Sequence, residues 1–282
     1  MRIAITGATG KVGGEAARLL SGGDGGTAHE LRLLVRSPRR VPRILGAEVF
    51  QAEYSERLVC QDAFEGADAL LLVSAGESAD RLAQHRSVIG AAVDAGVGHV
   101  VYTSFLGAAA DAEFTLARDH AATEEMLRES GLAWTFLRDS FYADVLLDFA
   151  GPDRVIRGPG GEGRCGFVAR ADVAAVAARI LAIPAPWAGR TLDLTGPAAL
   201  SLAEAAAIMT QARGEQYRYV DETLEEARAS RAPYGAPDWQ VEAWISTYTA
   251  IASGALDVVT ADVESVLGRA PLGLAEVAAN PL

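Results

Sequence analysis

The chain has 282 residues, of which 50% are hydrophobic and 22% charged, and carries a formal charge of −12. That size and apolar content allow one sizeable core, or a large lobe with a smaller companion. The acidic balance argues against a nucleic-acid partner, which needs a basic face to neutralise phosphates. The longest apolar stretch, 173–184, carries Arg179, ends at Pro184 and falls short of the ~20 residues of a membrane-spanning helix.

The first strand-like run, Arg2 to Thr6, begins one residue after Met1, so the charged and apolar regions of an export signal are not expected. Cys60 and Cys165 stand far apart, with no second Cys or His at ligand spacing, so neither a disulfide framework nor a metal site is expected. Free thiols in a cytoplasmic protein are the expectation.

Strands are predicted at Arg2 to Thr6, 31–36, 48–51, 69–74, 99–103 and 133–138, several of them continuous apolar runs of the kind buried on both faces. Helices are predicted between them at 11–20, 55–64, 80–95 and 118–130. This alternation predicts an α/β fold, a Rossmann-type doubly wound, mostly parallel sheet. A glycine-rich stretch follows, with Gly151, Gly158, Gly160, Gly161 and Gly163, and reads as a loop-rich excursion over 139–168. Asp172 is placed to cap a helix over 173–181, and a strand is expected at 191–195. Ser201 with Glu204 has capping-box spacing ahead of an Ala-rich helix, and 217–220 reads as a short strand before further helices. The expected division is 1–198 for the sheet domain and 199–282 for a smaller, mainly helical lobe.

Gly7, Gly10 and Gly13 stand at three-residue spacing between the first strand and the first helix. A tight turn, close approach of backbone to a pyrophosphate and close helix packing each require a missing side chain. The helix N-terminus then presents free N–H groups and a positive dipole end to an anion. Gly7, Ala8, Thr9, Gly10, Lys11 and Val12 are therefore the expected dinucleotide contacts.

Where the second strand ends, an NAD enzyme places an acidic residue for the ribose diol, and this chain has Arg36. An arginine there suits a 2′-phosphate, so the expected cofactor is NADPH. Arg39 and Arg40 follow in the same loop, where a solvated basic face accounts for them equally well. Ligands of such sheets sit beyond the carboxyl ends of the strands. Ser74, Ala75 and Gly76 are small enough to admit a ribose or phosphate, and Thr103 and Ser104 would reach towards the nicotinamide. Ordinary turns or helix caps would use the same residues.

Reduction of a ketone needs a general acid at the carbonyl oxygen, usually a tyrosine with a lysine four residues on. At the corresponding helix this chain has His120 and Glu124 instead. Residues at i and i+4 share a face, so the glutamate would orient the imidazole and raise its proton affinity, and a surface ion pair is the other reading. Without the Tyr/Lys pair, the acceptor should be one whose reduction product is a stabilised anion, such as a quinone or another conjugated aromatic.

The segments Ile5-Thr6-Gly7-Ala8-Thr9-Gly10, Val35-Arg36, Gln84-His85-Arg86, Asp94-Ala95-Gly96-Val97, Val101-Tyr102-Thr103-Ser104, His120 with Glu124, Phe136-Leu137-Arg138 and Arg170-Ala171-Asp172 together resemble the NmrA-like branch of atypical short-chain dehydrogenases. Within it they are similar to the NAD(P)H:quinone oxidoreductase type 2 and triphenylmethane reductase group. The resemblance implies that the segment after Arg138, with Asp139, Ser140 and Phe141, passes the nicotinamide, that Arg170 contacts the cofactor, and that Phe141, Tyr142 and the tail helices shape the acceptor site. His120, Asp139 and Tyr142 are the residues expected nearest the chemistry. The group usually carries asparagine where this chain has Asp139, and a carboxylate does not donate as an amide does; a structural cap is the other reading of Asp139. The function expected is an NADPH-dependent reductase of a small quinone or aromatic, a monomer or homodimer. A sensor of NADP(H) without turnover, or a reductase or isomerase of a biosynthetic intermediate, shares the same features.

Overall fold

The computed structural model describes residues 1–22, 29–41 and 43–280. In chain order its elements are β1 (Arg2–Thr6), α1 (Lys11–Leu20), β2 (Glu30–Val35), β3 (Glu48–Gln51), α2 (Arg57–Phe64), β4 (Ala69–Leu72), α3 (Arg81–Asp94), β5 (His99–Phe105), α4 (Thr115–Glu129) and β6 (Ala133–Asp139). Then follow α5 (Val145–Ala150), β7 (Val155–Gly158), β8 (Arg164–Cys165), α6 (Arg170–Ala182), β9 (Arg190–Leu194), β10 (Leu200–Ser201), α7 (Leu202–Arg213), β11 (Arg218–Asp221), α8 (Leu224–Arg231), α9 (Asp238–Ala252), α10 (Asp262–Leu267) and α11 (Leu274–Ala279).

Seven strands form one sheet in the order β3-β2-β1-β4-β5-β6-β9, the doubly wound arrangement that the alternating pattern predicts. β1 pairs in parallel with both β2 and β4, setting Ile5 opposite Leu33 and Leu71. Ala69, Leu70, Leu71 and Leu72 are all fully buried, which is why β4 reads as an unbroken apolar run. Burial of each such leucine stabilises the fold by about 1.5–3 kcal/mol.

The chain divides into two compact units that are interleaved along the sequence. One comprises Met1–Ser104, Asp119–Arg138 and Val173–Leu192, and the other Phe105–Arg118, Asp139–Asp172 and Asp193–Leu282. The core of the first gathers Phe64, Leu70, Leu72, Tyr102, Leu127 and Phe136 around the sheet. The core of the second gathers Phe105, Phe114, Leu146, Phe167, Met209 and Ile251.

Two local expectations are corrected. The stretch 139–168 is not merely loop, because β7 pairs in parallel with β11 and β8 pairs antiparallel with β10. Its glycines serve close packing as well as turning: a Cβ on Gly163 would collide with the Ile251 carbonyl oxygen. Asp172 does not cap a helix beginning at Val173, since α6 begins at Arg170 and Asp172 stands in its first turn. Its buried carboxylate instead accepts the Leu272 N–H at 2.7 Å and meets Arg269 at 2.7 Å. The capping box at Ser201 and Glu204 forms as expected, with reciprocal bonds of 3.1 and 2.8 Å.

Candidate functional site

Gly7 opens the first turn with φ +62°, a left-handed conformation that favours glycine, and its carbonyl accepts the Gly10 N–H at 2.8 Å. A Cβ on Gly13 would lie 2.6 Å from the Gly7 carbonyl oxygen, so glycine there lets α1 rest on the turn. Gly10 is the N-cap of α1 and supplies no side-chain cap, and the first turn of the helix has no acidic residue. Its leading N–H groups and dipole therefore suit an anion, and the residues fit the pyrophosphate of a dinucleotide. Ala8 and Val12 face the core, so only their backbone serves that role, while Gly10 and Lys11 are exposed. Beneath the turn, the Tyr54 hydroxyl lies 2.6 Å from both Thr6 Oγ1 and the Val73 carbonyl and ties the end of β1 to β4. Arg36 follows the last residue of β2 and is exposed, as are Arg39 and Arg40 in the short turn after it.

The loop after β4 is held from below. The Ala75 N–H donates to His85 Nε2 at 2.8 Å, and the Ala75 carbonyl accepts Arg81 Nε at 3.0 Å. The Ser74 N–H donates to Thr103 Oγ1 at 2.8 Å. Gly76 is exposed, with nothing within 4 Å of where its Cβ would stand. Arg81 and His85 are one helical turn apart on α3 and both buried, and His85 Nδ1 meets Thr123 Oγ1 at 2.7 Å. With Nε2 accepting, the imidazole is neutral and protonated on Nδ1. Burial, then the Arg81 charge, pushes its pKa down to about 3.

His120 belongs to the same network. Its Nε2 faces Arg81 Nη2 at 2.9 Å and its Nδ1 faces the Tyr102 hydroxyl at 2.9 Å. Because a guanidinium only donates, Nε2 accepts, and the ring proton sits on Nδ1. Burial, then the Arg81 charge, holds His120 well below the ordinary histidine value. The expected rise in its proton affinity through Glu124 is thus overturned, and a surface ion pair is equally excluded, since both residues are buried. Glu124 instead accepts Ser104 Oγ at 2.6 Å, takes Arg138 bidentately at 2.8 and 2.7 Å, and meets Arg128 at 2.9 Å. Thr103 and Ser104 also differ from a strand-end turn: β5 runs on to Phe105, and both hydroxyls bond within the protein.

In the second unit, Asp139 ends β6 and is buried, with Oδ2 2.7 Å from the Tyr142 hydroxyl. Its Oδ1 has no hydrogen-bond partner among the described residues. Burial pushes the carboxyl up to about 8, against the opposing hydrogen bond of Tyr142. It is therefore largely protonated at neutral pH, and a neutral carboxyl donates a hydrogen bond as an amide does. Tyr142 lies under the Arg170 guanidinium, 5.1 Å from the ring centre, and Arg170 N–H is held by Asp144 at 2.9 Å. Ser140 is buried, its N–H bonded to the Leu194 carbonyl at 3.0 Å and its hydroxyl 3.4 Å from Cys165 Sγ. Phe141 packs with Phe105 and Phe114, with ring centres 4.9 and 5.1 Å away.

A family profile described as NAD(P)H-binding matches residues 7–184. The chain belongs to the NAD(P)H-binding family. Its relatives include quinone oxidoreductase 2 of Escherichia coli strain K12, 33% identical over 97% of this chain and 96% of that protein. The NAD(P)H azoreductase of Xenophilus azovorans is 31% identical over 98% and 96% of the two chains. Among solved structures, the Escherichia coli NADPH-dependent quinone oxidoreductase complexed with NADPH aligns with TM-score 0.87 at 33% identity, covering 98% of each chain. The Citrobacter sp. triphenylmethane reductase complexed with NADP(H) aligns with TM-score 0.86 at 28% identity, covering 99% of this chain and 100% of that one. The resemblance to the quinone and triphenylmethane reductase group is thereby borne out.

For this member of the NAD(P)H-binding family, the first unit joins the glycine turn, the Ser74 to Gly76 loop and His120 through β1, β4, β5 and the α3–α4 network. The second unit joins Asp139, Tyr142 and Arg170. Sequence reasoning missed Arg81, and took His85 and Tyr102 only as parts of motifs. Arg81 and His85 stand at i and i+4 on the same stripe as Val88, Ile89 and Ala92, so the helical period of α3 carries a signal for their burial. No described helix is long and apolar enough to cross a membrane.

Proposed function

We propose that the protein is an NADPH-dependent oxidoreductase that passes hydride to a quinone or related conjugated aromatic acceptor. The observation that carries this reading is the uncapped N-terminus of α1 on its glycine turn. NADPH, when bound, supplies the hydride from its nicotinamide. The backbone N–H groups of the turn from Thr9 to Val12 hold the pyrophosphate, and Arg36 takes the 2′-phosphate. His85 and Arg81 fix the Ala75 peptide, so that Ser74, Ala75 and Gly76 present a set surface to the cofactor, and His120 and Thr103 brace that loop. Ser140, Phe141 and Arg170 are assigned to the nicotinamide end by the likeness to the quinone and dye reductases. The names of those relatives, quinone, azo and triphenylmethane reductases, favour a flat conjugated acceptor. The acidic charge and the two buried free cysteines fit a cytoplasmic enzyme acting on a small molecule.

Stopped-flow oxidation of NADPH with a panel of quinones and dyes tests the reading. Rapid, acceptor-dependent loss of reduced cofactor is expected. NADPH that survives every acceptor would overturn it.

A further inference from the structure

The short-chain pair of tyrosine and lysine is missing from α4, yet the second unit contains a tyrosine bonded to a buried acid. Asp139 is 2% exposed, its Oδ1 has no hydrogen-bond partner among the described residues, and its Oδ2 lies 2.7 Å from Tyr142 Oη. Tyr142 as a residue is only partly buried, whereas Asp139 is buried. Asp139 is also the carboxyl-terminal residue of β6, and ligands of such sheets lie beyond the carboxyl ends of the strands. We propose that Tyr142 and Asp139 form a proton relay, in which Tyr142 donates to the reduced acceptor and Asp139 refills it.

The chemistry follows from which group bears the charge. An ionised Tyr142 would face Asp139 and lie in buried surroundings, so the phenol by itself is held well above its usual pKa. An ionised Asp139 instead keeps the Tyr142 hydroxyl as a donor to Oδ2. In the structure the Tyr142 hydroxyl donates to Oδ2 at 2.7 Å; a proton on Oδ2 reverses this contact, so that Oδ2–H donates to Oη and the phenol proton is released from it. As hydride from NADPH adds to the electrophilic atom of the acceptor, negative charge develops on the neighbouring nitrogen or oxygen. The Oη–H bond then breaks towards that atom and the Oδ2–H bond breaks towards Oη. The electron pair of the latter bond stays on the carboxyl, which becomes a carboxylate until water returns a proton. The sum is acceptor, NADPH and one proton giving reduced acceptor and NADP+.

The groups facing the pair agree with this direction of transfer. The Arg170 guanidinium lies over the Tyr142 ring and steadies negative charge there, and Asp144 is tied to the Arg170 N–H. The Cys165 thiol, beside Ser140, is pushed up to about 12 by burial and stays neutral. Such a relay matters little for a quinone, whose reduced anion is stable in water. It matters for an azo or enone acceptor, whose reduced anion is a strong base.

The inference rests on the reductase reading, and the test separates the two. Steady-state kcat and KM for 1,4-benzoquinone and for the azo dye methyl red are measured across pH in wild type, Tyr142→Phe and Asp139→Asn. Methyl red turnover in wild type should fall as pH rises through about 8, where Asp139 loses its proton. Tyr142→Phe should lose on the order of a hundredfold in kcat with methyl red, and far less with benzoquinone. Asp139→Asn keeps a donor to Oη but no reservoir, and should lose the limb near pH 8. The second readout needs no turnover: the side-chain carboxyl of Asp139, followed by carbon NMR without cofactor, should titrate near 8 and move higher in Tyr142→Phe. Wild type that oxidises NADPH with neither acceptor overturns the reductase reading and the relay together. Turnover with both, joined to equal losses on both acceptors or to an Asp139 carboxyl in the ordinary range, overturns the relay alone.

Discussion

The backbone N–H of Ala75 donates to Nε2 of His85 at 2.8 Å, which fixes the loop after β4 and the tautomer of the imidazole at once. Protonation of Nε2 would break that bond. The folded-state pKa near 3 lies below the unfolded value of 6.5, so the stabilisation is present above pH 6.5 and is lost as pH falls towards 3. Over that window His85 contributes up to about 1.4 kcal/mol of acid sensitivity per pH unit. His85→Gln keeps an acceptor that does not titrate. Its melting temperature should fall less steeply than that of wild type between pH 6.5 and 3; parallel curves would show that the histidine does not accept the Ala75 N–H.

Arg36 sits at the end of β2 with its guanidinium exposed, where a 2′-phosphate would complete a charge-assisted pair. Arg36→Ala should weaken NADPH binding by about 1.5–3 kcal/mol, roughly tenfold to a hundredfold, and leave NADH binding nearly as it was. Isothermal titration with both cofactors measures this, and the NADPH affinity of wild type should fall with added salt. Equal losses for the two cofactors would mean that another group reads the phosphate.

Gly13 is the position at which the glycine turn tolerates least. An alanine Cβ there would stand 2.6 Å from the Gly7 carbonyl oxygen and 2.7 Å from that of Thr6, both backbone atoms that cannot swing aside. Gly13→Ala should lift α1 off the turn, abolish measurable NADPH binding by fluorescence titration and lower the melting temperature. Retained affinity would show that the turn has more freedom than its close contacts imply.

The elements that position this site were legible because their signals are local. Strand, glycine turn and helix at Arg2 to Leu20 follow from a short apolar run, three spaced glycines and an amphipathic helix, and Arg36 from its place after β2. The roles of His120 and Glu124 were not, because their partners lie far away in the chain. Arg81 is 39 residues from His120, and Glu124 lies 20 from Ser104 and 14 from Arg138. Helical spacing placed the two on one face, but burial decided that each would be bound by other elements. The pairs β7 with β11 and β8 with β10 escaped notice for the same reason, since each brings together short segments separated by other structure.

Asp139 makes a stability prediction whose sign is opposite to that of His85. Its folded-state pKa of about 8 lies above the ordinary aspartate value of 3.8, because burial penalises the carboxylate. The neutral carboxyl is favoured in the fold, so its contribution is fully present below about pH 4 and is lost as pH rises through about 8. The loss approaches about 1.4 kcal/mol per pH unit inside the window. Asp139→Asn retains a group that bonds the Tyr142 hydroxyl and never ionises. A fixed offset between the two proteins would reflect only the fit of the amide in the place of the unpartnered Oδ1. The diagnostic quantity is the slope: the melting temperature of the variant should gain on wild type steadily from pH 4 to 8 and level off above it. A difference that is constant across that range would mean that Asp139 is ionised in the native protein, and that Tyr142 is bonded to a carboxylate throughout.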